Sequence, residues 1–151
     1  MRVEQKDRSS MAVYQNEAQI AAVVQGFESC TTDKEAFKHQ DHLTVAVWYL
    51  QDSNIQEATA RLRTALLRFV DHHQVDRAKY NETITVLWLE LVAGQLEKLP
   101  QSFSLVEKCN SVIESLNDSG LALKYYSSEL LASDEARASF IPPDLKSWSS
   151  D

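Results

Sequence analysis

Glycine and proline are scarce, three of each in 151 residues. An all-β domain needs more turns than that supply supports, so the chain reads as helix. Cysteine is scarcer still. Cys30 and Cys109 stand alone, with no CxxC spacing, which argues against a disulfide scaffold. Cys109 falls on an apolar stripe and is expected in the core, whereas Cys30, at a helix end, is expected to be partly exposed. Long apolar runs are missing too: the longest, Leu43 to Leu50, is far short of the ~20 residues of a membrane helix. Positive charge is in the minority, 15 Lys and Arg against 22 Asp and Glu, for a net charge of −7. Such a balance repels phosphate backbones, and no Lys/Arg cluster interleaves with aromatics, so no nucleic-acid partner is expected. Arg61, Arg63 and Arg68 share a helix with Glu57 and Asp71 and read as a solvated face. Gly-rich phosphate loops and GxSxG elbows are absent. Met1 to Ser10 is almost wholly polar, without the apolar core of a signal peptide, and a cytoplasmic location is expected.

What is present is helical periodicity. The composition, 44% apolar and 25% charged, is that of an ordinary globular protein, and the length suits one domain. Residues 1–10 read as a disordered tail, with the bundle domain over 11–148 and Met11 a candidate for where order starts. The spacing predicts helices over 14–29, 41–51, 54–73, 81–98 and 103–116, then short helices through 121–148. The 54–73 stretch is the clearest, with Ile55, Ala58, Leu62, Leu66, Phe69 and Val70 along one stripe. The 41–51 stretch is apolar nearly all round, which places it mid-bundle. Its β-favouring Val45, Val47 and Tyr49 make a strand the rival assignment, but no second strand is at hand to pair with it. Thr32-x-x-Glu35 and Ser53-x-x-Gln56 have the capping-box pattern, the first suggesting a short helical turn before the His39 segment. The expected architecture is an all-α, single-domain bundle of about five main helices.

Two polar knots interrupt this pattern. Phe37-Lys38-His39-Gln40-Asp41-His42-Leu43 opens one apolar helix and Lys79-Tyr80-Asn81-Glu82-Thr83 opens another. His39 and His42, three residues apart, leave the same helix face, the spacing that serves helical metal sites. His42 is in phase with Val45, Ala46 and Tyr49, so it points inward. There the positive end of the helix dipole favours its neutral, metal-binding form. Asn81 shares the buried stripe of Ile84, Thr85, Trp88 and Val92. Glu82 flanks that stripe, where a carboxylate can accept from an imidazole or ligate a cation. The expectation is that His39, His42, Asn81 and Glu82 converge, His42 within about 5 Å of Asn81, a direct or one-water contact. They would form a pocket for a small-molecule ligand, with His39, His42 and Glu82 as ligands if the cofactor is a divalent metal ion.

These blocks, together with Tyr125-Tyr126-Ser127, Ser133, Ala136-Arg137 and Pro143-Asp144-Leu145, resemble a family of small, uncharacterised, all-helical bacterial proteins. Its members read aromatic-x-His-x-x-His-Leu, then Gly-Tyr-His-Glu-Thr, then Tyr-Ser…Leu…Ser…Ala-Arg…Pro-Asp. The resemblance spans about residues 25–146 and implies a helical fold and a site at the two knots. It implies no activity. This chain has Asn81 where the family pattern has His. If the family site is a three-histidine metal site, one ligand is replaced here by an amide, a much weaker donor.

Two readings follow. In one, the polar residues form a ligand or metal pocket, with or without catalysis. In the other, the protein is a non-catalytic structural or interaction module and the same residues are buried cross-links. Tyr125-Tyr126 offers a phenol to either.

Overall fold

A computed structural model describes residues 12–147; the expected tail over 1–10 and the end of the chain beyond 147 lie outside the described residues. The described chain is all-α and carries no strand. Its elements are α1 (Glu17–Glu28), α2 (His39–Leu50), α3 (Ile55–His72), α4 (Glu82–Glu97), α5 (Leu105–Leu116), α6 (Ser128–Leu131) and α7 (Asp134–Ala138). Two 3-10 segments, Arg77–Lys79 and Ser119–Lys124, fall between them.

α2 is the axis of the bundle and packs against α1, α3, α4 and α5. Leu43, Thr44, Val45, Ala46, Val47 and Tyr49 are all buried, as a helix apolar on every side requires. The β-favouring residues at 45, 47 and 49 therefore serve packing rather than strand pairing. α3 and α5 are amphipathic, and each turns one stripe inward: Ala58, Leu62, Ala65 and Phe69 from α3, Leu105, Cys109, Val112 and Ile113 from α5. Phe27, Phe37 and Phe69 stack near the α1–α2 connection, Phe27 and Phe37 with parallel rings 4.5 Å apart. Cys109 is fully buried, and burial pushes its thiol up to about 12.

The helix boundaries lie within three residues of the predicted ones, and local hydrogen bonds explain the largest difference. The first helix starts at Glu17 rather than 14 because the Asn110 side chain grips the Tyr14 backbone on both sides, accepting from its N–H and donating to its carbonyl. Asn16 then caps the helix by accepting from the Gln19 N–H. Of the two capping boxes read from the sequence, Ser53-x-x-Gln56 is displaced by one residue, the reciprocal pair being Asn54 and Glu57. At Thr32-x-x-Glu35 the expected short turn forms before His39, with the Ala36 and Phe37 N–H groups on the Asp33 carbonyl, and no longer helix follows from it. Cys30 is buried, not partly exposed: it takes φ 61° at the end of α1, and the chain folds back so that the Thr31 and Thr32 N–H groups reach the Gly26 carbonyl.

The C-terminal part is a second, smaller layer. Tyr126 is fully buried with Leu87 and Ala122 in a small cluster, flanked by Trp88, Leu91, Leu130 and Leu131. α7 rests on α4. Both short helices begin on serines: Ser127 accepts from the Leu130 N–H and Ser133 from the Ala136 N–H.

Candidate functional site

The start of α4 carries the second polar knot. Asn81 is the N-cap, its Oδ1 accepting from the Ile84 N–H at 2.9 Å, while its Nδ2 donates to the Leu131 carbonyl at 2.8 Å. One amide thus caps a helix and ties it to the end of α6. Thr83, fully buried, makes a second tie: its hydroxyl donates to the Ser139 carbonyl and accepts from the Ile141 N–H.

Glu82 is turned the other way. Arg63 of α3 donates to both carboxylate oxygens, Nε to Oε1 at 2.9 Å and Nη2 to Oε2 at 2.6 Å. The Tyr80 hydroxyl also donates to Oε1. The Glu82 side chain is 12% exposed and that of Arg63 42%. Arg63, followed by the Tyr80 hydroxyl, holds the Glu82 carboxyl below the usual range, although burial opposes them. Burial and the bond to Glu82 push the Tyr80 phenol well above its ordinary value.

The histidines have partners of their own. The His39 Nε2 is 3.1 Å from the Leu116 carbonyl at the end of α5, and its ring meets Trp88 edge-on at 4.4 Å. Trp88 is six residues beyond Glu82, an axial distance of about 9 Å along α4. The His42 ring packs on Phe37 at 4.5 Å. Burial first, and His39 second, pull its pKa down to about 4, so the ring is neutral at physiological pH. The neutral form expected from the helix dipole is thus favoured chiefly by desolvation and the His39 charge.

The four expected site residues therefore divide into two groups with separate partners. His39 serves α5 and Trp88, and His42 serves the phenylalanine stack. Asn81 serves α6, and Glu82 serves α3. Among the described residues no group of three His, Cys, Asp or Glu side chains is placed to hold a metal ion, so the set His39, His42 and Glu82 is not assembled. Hydrophobic periodicity gives the phase of each residue around its own helix. It does not give the axial offset between helices, and here the mouth of α2 meets α4 nearly two turns beyond the start of that helix.

An open cleft of about 530 Å³ does adjoin Glu82. Arg63, Arg77 and Arg137 line it with Tyr80, Asp134 and Phe140; His39, His42 and Asn81 do not. Arg63 does not simply sit on a solvated face, and none of the three α3 arginines is idle. Arg61 bonds to Asp52 and lies over the Tyr49 ring, and Arg68 donates to the Glu28 carbonyl. Nothing in the spacing of residues 63 and 82 signals their pairing, because it depends on how α3 and α4 dock.

The residues of the C-terminal block have structural partners as well. Ser127 donates to Asp144 through both backbone N–H and hydroxyl, and the Tyr126 hydroxyl donates to the Ile141 carbonyl. No family model matches this chain, and none of the curated proteins or solved structures matches it either. No described helix is long and apolar enough to cross a membrane.

Proposed function

We propose that this is a non-catalytic helical module in which the conspicuous polar residues are cross-links, and that the surface they brace is a binding surface. The observation that carries this reading is how His39, Asn81, Thr83 and Glu82 spend their hydrogen bonds. Each is engaged with another part of the same chain. A catalytic carboxylate needs a lone pair turned to substrate and a pKa suited to proton transfer. Glu82 instead has both oxygens on Arg63 and a lowered pKa. A metal-binding imidazole needs a free ring nitrogen beside other donors. His39 has its Nε2 at a backbone carbonyl and an indole against its ring.

Thermal unfolding with and without zinc or nickel tests this. A ligand that binds the folded form at a hundred times its Kd stabilises by about 2.7 kcal/mol, enough to move Tm by several degrees. We expect neither ion to raise Tm, and we expect His39→Ala and Asn81→Ala to lower it equally in their presence and absence. A rise in Tm with zinc that His39→Ala or His42→Ala abolishes would overturn the reading.

A further inference from the structure

We infer that the cleft beside Glu82 is a binding site for an organic oxyanion, a carboxylate or phosphate group carried on an apolar body. Its volume, about 530 Å³, lies in the range of small-molecule sites. Three guanidinium groups, Arg63, Arg77 and Arg137, line the cleft, each backed by one carboxylate, Glu82, Asp71 and Asp134, so that the local charge balances in a protein whose net charge is −7.

The guanidinium groups are also held in place before any ligand arrives. Glu82 grips Arg63 through Nε and Nη2. Asp71, at the end of α3, grips Arg77 through the same two nitrogens at 3.0 and 2.9 Å. Arg137 is fixed by the Ala132 carbonyl and by Asp134. A guanidinium has five N–H donors, and each of these arrangements uses two. The rotamer entropy that a flexible cation loses on meeting an anion has thus already been lost within the fold. Bidentate donors of this kind suit the planar or tetrahedral oxygens of carboxylates and phosphates. Leu67, Ala78, Ala138 and Phe140 supply apolar wall beside Tyr80 and Ser139, surface for the non-ionic part of the ligand. The site goes beyond the cross-link reading and does not depend on it.

The test is a titration of the full chain followed by amide and arginine Nε–H resonances in 15N-labelled protein. The probes are benzoate and phenyl phosphate, with benzyl alcohol as the neutral match and inorganic phosphate as the anion without a body. At least one organic anion should give saturable shifts at Ala78, Ala138 and the arginine side chains, and its binding should weaken with added salt. Benzoate and phenyl phosphate distinguish the two headgroups. Arg77→Gln and Arg137→Gln should each weaken binding roughly fivefold, the loss of one charge-assisted contact at a partly exposed site. Arg77 lies at the surface, with 62% of its side chain exposed, so its variant keeps the fold even if Arg137→Gln does not. Three results would overturn the inference: no saturable shift with either organic anion, equal binding of benzyl alcohol or inorganic phosphate, or unchanged affinity in folded Arg77→Gln.

Discussion

The central helix α2 and the C-terminal segment beyond Ser119 are held by different physics. α2 is fixed by burial: six of its twelve residues are inaccessible, and only Thr44 among them is polar. The C-terminal segment has a small core, Leu87 with Ala122 and Tyr126, and depends on side chains that reach backbone groups. Asn81 holds the Leu131 carbonyl, Thr83 holds Ser139 and Ile141, Tyr126 holds the Ile141 carbonyl, and Asp144 accepts from Ser127. Apolar burial is non-directional and stabilises the whole fold. A polar tie is directional and stabilises the segment it anchors. The difference teaches that the chemically eye-catching residues of this chain belong to the second kind of region.

Substitutions can break that contrast, beginning with the largest effect. Leu43→Ala removes a fully buried side chain from the axis of the bundle and should cost about 3 kcal/mol. Its denaturant midpoint should fall identically by far-ultraviolet dichroism and by tryptophan fluorescence, as global unfolding requires. Asn81→Ala removes a helix cap and the tie to α6 together and should cost about 1–2 kcal/mol in urea unfolding.

Acid sharpens the comparison from the side of the core. Above about pH 6.5 the His42 ring is neutral in the folded and the unfolded chain alike. Between there and about pH 4 only the unfolded chain takes up the proton, so stability falls as pH falls through that window and levels off below it. The ring is partly buried, and the loss should be on the order of 2 kcal/mol. Urea midpoints from pH 7 to pH 4 should show this loss in the wild type and not in His42→Leu. The smallest effect is a gain. Gly94 lies inside α4 with no described atom beyond its neighbours and its own helix backbone within 4 Å of where a Cβ would stand, so Gly94→Ala should raise stability by about 0.5–1 kcal/mol in the same assay.

The same contrast governs what the sequence made legible. The five long helices were readable, because periodicity and scarce glycine report on burial, the force that holds α1 to α5. The half-buried phases of His42 and Asn81 belong to that same information. The rest depended on docking. His39 meets Trp88 and Leu116, and Glu82 meets Arg63, through offsets between helices that no local pattern encodes. Capping motifs were legible to within one residue, at Asn54 and at the short turn after Thr32, which closes on the Asp33 carbonyl. Asn81 has a full structural role here as cap and tie, with both ends of its amide engaged.

The most direct measurement is native-state hydrogen exchange on Thr83→Val. The substitution keeps the shape of a fully buried side chain and deletes both its bonds to the C-terminal segment. We expect protection to drop at the Ile141 amide and through α6 and α7, with the opening free energy there reduced by about 2 kcal/mol. The amides of α2 from Leu43 to Tyr49 should be unchanged. Loss of protection spread evenly over the molecule, or centred on His39 and His42, would contradict the claim that these polar residues tie the C-terminal segment to the bundle.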